Sequence, residues 1–129
     1  MTRRSADDLV ADARERIRRV QAHELGDVIG DGGLIIDIRP REQRTREGEL
    51  PGAIIVARNV LEWRLDPSGD FQLAELEGYD QPIVIVCSEG YASSLAAASL
   101  AELGFSATAD LDGGYQAWRA WRDALELTS

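Results

Sequence analysis

Residues 83–94 read Ile-Val-Ile-Val-Cys-Ser-Glu-Gly-Tyr-Ala-Ser-Ser, a short apolar run followed by a polar turn and the start of an Ala- and Leu-rich stretch. The apolar run is rich in β-branched residues and has the length of a buried strand. The order predicts a strand that delivers Cys87 to its end, a loop that contains Gly90, and then a helix. Because ligands bind at the carboxyl ends of strands in open α/β sheets, this segment also predicts where a site lies.

Strand and helix patterns alternate on both sides of this segment. Further strand patterns cover residues 34–38 and 53–56, with weaker ones at 107–111 and 19–21. Helical patterns cover residues 24–29, 41–46, 60–64, 93–103 and 115–125. This alternation predicts an α/β fold with a parallel sheet and helices on both of its faces.

The two ends of the chain carry amphipathic helical patterns. Residues 5–19 predict an N-terminal helix that Ser5 can cap, and we interpret residues 1–17 as a helical extension of a domain that covers residues 18–129. The last helix presents an apolar stripe made of Tyr115, Trp118, Trp121 and Leu125. We expect this stripe to be the face that packs on the sheet.

Composition and charge exclude several classes of function. The chain has 129 residues, 44% of them hydrophobic, which is typical of one globular domain. Fourteen Lys+Arg against 23 Asp+Glu give a net charge of -9, which disfavours nucleic acid as a partner. No apolar run approaches the roughly 20 residues that span a bilayer, and Ala6-Asp7-Asp8 follows the first arginines where an export signal needs an apolar segment. We therefore expect no membrane partner and a cytoplasmic location.

Cys87 is the only cysteine of the chain, so it cannot form an internal disulfide. With one histidine, His23, the sequence offers no metal-ligand cluster, and we expect neither a metal nor an organic cofactor. A lone cysteine is often a small buried hydrophobe. At the end of a strand, however, backbone N–H groups of the next turn and a helix N-terminus can surround the sulfur and favour the thiolate.

Four segments together resemble the successive motifs of single-domain rhodaneses. They are Leu34-Ile35-Ile36-Asp37-Ile38-Arg39, Gly48-Glu49-Leu50-Pro51-Gly52-Ala53-Ile54, Cys87-Ser88-Glu89-Gly90-Tyr91-Ala92-Ser93 and Gly113-Gly114-Tyr115-Gln116-Ala117-Trp118. The resemblance implies a five-stranded parallel sheet and an active-site loop from Cys87 to Ala92. It also implies transfer of sulfane sulfur from a small anionic donor such as thiosulfate, through a Cys87 persulfide, to cyanide or a thiol. A protein sulfur acceptor and a homodimer stay open as partners.

The resemblance also suggests roles for other residues. Ser88, Glu89, Gly90, Tyr91, Ala92 and Ser93 form or follow the loop and are the candidates for substrate binding. Asp37 and Arg39 match an Asp-x-Arg pattern and are expected to brace the loop as a structural pair. Arg58 either reaches the crevice to attract an anion or pairs with Glu62.

Two positions depart from the pattern of the family. Many of these sulfurtransferases have arginine where this chain has Ala92, and the loss of such a partner weakens anion binding by roughly 1.5–3 kcal/mol. Glu49 stands where the family usually has histidine, and it receives no catalytic role. A phosphatase loop would need an arginine at position 93, which is Ser93 here. The remaining alternative is a catalytically weak module for sulfur sensing or partner binding.

Overall fold

One sheet of five parallel strands organises residues 2–128, the part of the chain that the computed structural model describes. The strands are β1 (Arg18–Val20), β2 (Leu34–Asp37), β3 (Ile54–Ile55), β4 (Ile83–Val86) and β5 (Thr108–Leu111). They lie in the order β1-β5-β4-β2-β3, and every pair of neighbours is parallel. All carboxyl ends therefore meet at one edge of the sheet. The predicted α/β class and the five-stranded parallel sheet are confirmed.

Six helices surround the sheet. They are α1 (Ala6–Glu15), α2 (Leu25–Gly30), α3 (Arg41–Glu47), α4 (Leu61–Arg64), α5 (Ala92–Leu103) and α6 (Gly114–Thr128). Short 3-10 turns, Ala22–Glu24 and Arg58–Val60, lead into α2 and α4. The predicted helical segments are all present. The first helix ends at Glu15 rather than near residue 19, because the residues from Arg18 onward pair with β5 as an edge strand.

Alternating side chains of the strands feed two apolar cores. Ile36, Ile83 and Ile85 pack with residues of α4 and α5 on one face. Ile35, Val84 and Val86 pack with residues of α2 and α6 on the other face. Every residue of β4 is buried because the strand lies inside the sheet and is covered on both sides. The rigid centre of the molecule thus delivers Cys87 to the carboxyl edge.

The predicted apolar stripe of the last helix is only partly correct. Tyr115 and Trp118 are buried against the sheet, but Trp121 is 36% exposed and Leu125 is 50% exposed. Helical periodicity identifies the side that faces the core, but it does not show where a helix runs past its support. Only the first turns of α6 therefore anchor it to the domain.

The N-terminal helix packs on α5 of its own chain. Ser5 caps it in a reciprocal pair with Asp8, and Val10 and Ala13 are buried. The division of the chain at residue 17 stays a prediction. None of the helices within residues 2–128 has both the length and the apolar character to cross a bilayer.

The two tryptophans of α6 should differ in their contribution to stability. Trp118→Ala removes a buried aromatic side chain and is expected to lower the free energy of unfolding by about 3–5 kcal/mol. Trp121→Ala, the matched control one turn further along, should cost about 1 kcal/mol or less. Urea unfolding of both variants measures the difference, and equal losses would contradict the packing of α6.

Candidate active site

Cys87 stands between the last residue of β4 and a loop that leads into α5. Its side chain is 8% exposed. The sulfur accepts two backbone hydrogen bonds, from the N–H of Gly90 at 3.2 Å and from the N–H of Ser93 at 3.3 Å. Backbone amide donors of this kind can hold an anionic group beside the sulfur.

The N-terminus of α6 fixes the first two carbonyl groups of the loop. The N–H of Tyr115 donates to the Cys87 carbonyl oxygen at 2.8 Å, and the N–H of Gln116 donates to that of Ser88 at 3.1 Å. Both carbonyls are thus bound by a second element. Because α6 docks rigidly through Tyr115 and Trp118, these bonds tie the loop to the core.

Two glycines allow this close approach. Gly114 has φ +63°, and a Cβ there would lie 2.5 Å from the Ser88 carbonyl oxygen and 2.6 Å from that of Cys87. Gly90 has φ +89°, and a Cβ there would lie 2.9 Å from the backbone nitrogen of Gly113. Both positions require glycine for its left-handed backbone and for the missing side chain.

A buried carboxylate lies beneath the start of α5. Asp110 of β5 is fully buried and accepts hydrogen bonds from Ser93 Oγ at 2.8 Å and Ser94 Oγ at 2.7 Å. Arg19 Nε completes the group with a bond to Asp110 Oδ1 at 2.9 Å. Burial opposes the charge of Arg19, but the hydrogen bond and charge of Asp110 outweigh it and raise the pKa of the guanidinium. The cluster fixes the residues that follow the loop.

Asp37 and Arg39 form a buried ion pair on the other side of the loop. Arg39 Nη2 lies 2.7 Å from Asp37 Oδ2, and its guanidinium stacks over the ring of Tyr115 at 4.0 Å. Arg39 Nη1 also contacts Glu47 Oε1 at 3.1 Å, and Glu47 Oε2 accepts the Ser88 hydroxyl at 2.8 Å. The pair therefore reaches the loop through Glu47.

Glu47 stays ionised in this network. Partial burial would raise its pKa, but hydrogen bonds from Ser88 and Arg39 and the charge of Arg39 outweigh that effect and lower the pKa. A carboxylate whose folded-state pKa is depressed contributes stability above its unfolded pKa. That contribution is lost as the pH falls through the folded-state pKa. The hydrogen bond from the Ser88 hydroxyl to Glu47 therefore contributes less to stability at acid pH.

A cavity of about 290 Å³ opens at the sulfur. It is lined by Gln43, Cys87, Ser88, Glu89, Tyr91 and Ala92. The side chains of Glu89, Tyr91 and Ala92 are exposed at its mouth, whereas Ser88 is buried and turned toward Glu47. None of the described residues that line this cavity is an arginine, and the donors that point at the sulfur are the backbone N–H groups of Gly90 and Ser93.

Other residues considered from the sequence lie away from the sulfur. Arg58 pairs with Glu62 at 3.0 Å and lines a separate groove with Arg41 and Arg44. Glu49 pairs with Arg44. His23 is exposed in the turn before α2. Of the two positions considered for Arg58, the structure shows the pair with Glu62 and not the crevice at Cys87.

Comparisons with known proteins agree with this geometry. The family model of the rhodanese-like domain matches residues 21–120. The chain belongs to the rhodanese-like domain family. It is 32% identical over 111 residues to the thiosulfate sulfurtransferase GlpE of Pseudomonas aeruginosa (strain LESB58), covering 86% of this chain and 89% of that protein. The resemblance identified from the four sequence motifs is therefore confirmed.

Two solved structures share the rhodanese-like fold of this chain. The Rhodopseudomonas palustris CGA009 protein RPA3614, described as a possible tyrosine phosphatase, superimposes with a TM-score of 0.83 at 26% identity, covering 95% of this chain and 94% of that one. The human single-domain sulfurtransferase TSTD1 gives a TM-score of 0.66 at 25% identity, covering 79% of this chain and 95% of that one.

Several residues of this rhodanese-like site were not identified from the sequence. Glu47 and Gln43 lie on α3, and only the tertiary packing of that helix brings them to Ser88 and the cavity. Asp110 did leave a signal, because it is an acidic residue inside a short strand whose residues are all buried. Among residues 2–128, no group of three or more His, Cys, Asp or Glu side chains is placed to hold a metal ion.

Gly114 should be essential for the geometry of the loop. Gly114→Ala places a methyl group against two loop carbonyls and is expected to destabilise the fold by about 1–3 kcal/mol. Gly26→Ala is the matched control, because a Cβ at this position of α2 meets nothing within 4 Å; it should be neutral or stabilise by up to about 1 kcal/mol. Thermal unfolding compares the two, and a neutral Gly114→Ala variant would disprove the close approach.

Proposed function

We propose that this rhodanese-like domain is a sulfurtransferase of the thiosulfate type, with Cys87 as its nucleophile. One observation carries the proposal: two backbone N–H groups point at Cys87 Sγ where it meets a cavity at the carboxyl edge of the sheet. The relationship to proteins named thiosulfate sulfurtransferase supports it. The loop from Cys87 to Ala92 binds the donor, Ser93 supplies an N–H, and Asp37 and Arg39 support the loop through Glu47.

The reaction proceeds in two displacements on sulfur. The Cys87 thiolate attacks the outer sulfur of thiosulfate, so that a Cys–S–S bond forms, the S–S bond of the donor breaks, and sulfite leaves with its electron pair. Cyanide or a thiolate then attacks the outer sulfur of the persulfide and restores the thiolate. Each step exchanges one bond to sulfur for another, so no external oxidant or reductant is consumed.

The groups around Cys87 Sγ suit the persulfide intermediate as well as the attack of the thiolate on the donor. A persulfide places its charge on the outer sulfur, which extends from Sγ toward the cavity. The first turn of α5 lies beside it: the N–H of Ser93 already donates to Cys87 Sγ, and a helix N-terminus favours negative charge in its neighbourhood. A single cysteine that cycles between thiolate and persulfide suits a reducing compartment, so the proposal places the protein in the cytoplasm.

Phosphatase activity is a weaker candidate, although one structural relative is described as a possible tyrosine phosphatase. Phosphoryl transfer from a dianion calls for a cationic clamp beside the nucleophile. Position 93 carries a serine whose hydroxyl donates to Asp110, and the cavity lining within residues 2–128 contains no arginine. The lining fits a sulfur atom held by amides better than a phosphoryl group.

The central test is persulfide formation on Cys87. After incubation with thiosulfate and removal of the excess, mass spectrometry should show a gain of one sulfur atom on the tryptic peptide that contains Cys87. Addition of cyanide should remove that atom and release thiocyanate. Cys87→Ser should abolish both steps because the nucleophile is lost.

Ser99→Ala, on the distant part of α5, is the matched control and should retain sulfur transfer. If the wild-type protein gains no sulfur, the proposed activity is wrong and the reading as a non-enzymatic module is favoured. That module would still bind its partner as Cys87→Ser, which pull-down from lysate measures.

The identity of residue 92 should set the preference among donors. Ala92→Arg introduces a cation at the mouth of the cavity, and a charge-assisted contact worth roughly 1.5–3 kcal/mol would lower the KM for thiosulfate by about 10- to 100-fold. An uncharged sulfane donor should gain much less. Glu102→Gln, at the far end of α5, changes the net charge by the same amount and controls for long-range attraction. Equal gains for both donors would refute the assignment.

A further inference from the structure

The carbonyl oxygen of Gly90 accepts hydrogen bonds from three side chains outside the loop. Arg14 Nη2 donates at 2.9 Å, Arg19 Nη2 at 2.8 Å and Ser94 Oγ at 3.4 Å. Arg14 belongs to α1 and Arg19 to β1, and both precede the region that the family model matches. Two guanidinium groups from outside the loop therefore donate to the same backbone carbonyl.

The hydrogen bonds to the Gly90 carbonyl determine the direction in which the N–H of Tyr91 points. None of the peptide bonds among residues 2–128 is cis, and in a trans peptide the C=O and N–H groups point to opposite sides. Because the Gly90 carbonyl points toward Arg14 and Arg19, the N–H of Tyr91 points away from them. The N–H of Gly90 itself already donates to Cys87 Sγ. The anchored carbonyl therefore fixes the peptide unit that directly follows the N–H of Gly90, one of the two donors to the sulfur.

The side chain of Arg14 contacts the loop and the start of α5. Besides the Gly90 carbonyl, its guanidinium donates to Ser94 Oγ at 3.0 Å through Nε and lies 5.5 Å from the centre of the Tyr91 ring. Within residues 2–128 it forms no ion pair with a carboxylate, whereas Arg19 is bound to Asp110 and Asp112. The loop residues 87–92 contain no cationic side chain of their own. Arg14 thus places a positive charge without a carboxylate partner among residues 2–128 beside the carbonyl of Gly90.

We propose that Arg14 is a positioning residue for sulfur chemistry: its bonds to the Gly90 carbonyl and the Ser94 hydroxyl hold the backbone beside Gly90 and Ser93, whose N–H groups donate to Cys87 Sγ. The N-terminal helix is then part of the active site, although it lies outside the matched family region. This inference rests on the proposed function, because the sulfur that these amides hold is the one to be transferred. Arg14 does not touch the substrate; it acts through the backbone of Gly90.

The test measures the reactivity of Cys87 toward iodoacetamide as a function of pH, using the full chain. Iodoacetamide is uncharged and reacts with the thiolate, so its rate follows the ionised fraction. Arg14→Gln should slow alkylation at pH 7 by about threefold to tenfold, because amides that are less well aligned stabilise the thiolate less. At high pH, where the thiol is ionised in both proteins, the rates should be equal.

Arg16→Gln is the matched control. Arg16 follows the same helix and also contacts α5, but at Glu102 on its distant end. Its loss weakens the attachment of α1 without touching the loop, so the pH profile should equal that of the wild type. Arg14→Met keeps the apolar stem and repeats the measurement if the glutamine variant loses helical circular dichroism.

The outcomes separate this inference from the proposed function. A profile moved to higher pH in the Arg14 variants alone, with an unchanged plateau at high pH, supports positioning. If the Arg14 variants and the wild type have the same pH profile of alkylation, the proposal is wrong. It is also wrong if Arg16→Gln moves the profile equally or if the rate at high pH falls, because either result indicates a general loosening of the structure. The alkylation assay needs no sulfur donor. A wild-type protein that fails to gain sulfur therefore refutes the proposed transfer, while the assay still decides the role of Arg14.

Discussion

The structure depends on how the carbonyl groups of one loop are held. Three of them are bound from outside: those of Cys87 and Ser88 by the first turn of α6, and that of Gly90 by Arg14, Arg19 and Ser94. Each peptide unit that turns its oxygen outward turns its N–H inward. The N–H groups that donate to the sulfur are those of Gly90 and Ser93, and the bound carbonyls hold the neighbouring peptide units of the loop in place. Such preorganised donors stabilise charge without rearrangement during the reaction.

The fold supplies these anchors from elements that are distant in sequence. The parallel sheet brings β4 and β5 side by side, which places Asp110 under Ser93 and Ser94. On the opposite side, Glu47 connects the buried Arg39 to the hydroxyl of Ser88. Glycine at positions 90 and 114 lets the backbones approach. The backbone geometry of the loop therefore depends on the packing around it more than on the side chains of the loop itself.

The sequence predicted the parts of this arrangement that local patterns encode. The strand 83–86, the helix that follows the loop, and the position of Cys87 at the carboxyl edge follow from periodicity and turn chemistry. Glu47, Gln43 and Arg14 could not be found in this way, because their contacts join residues tens of positions apart. The exposure of Trp121 shows the same limit, since a repeating apolar pattern carries no information about the edge of the sheet.

A crystal structure of the protein after reaction with a sulfane donor would show how the loop holds the transferred sulfur. We expect the outer sulfur bound to Cys87 to lie within hydrogen-bond distance, about 3.2–3.6 Å, of the backbone nitrogens of Tyr91 and Ala92, with the Gly90 carbonyl still bound by Arg14. An outer sulfur directed into solvent, with the peptide between Gly90 and Tyr91 turned over, would contradict it.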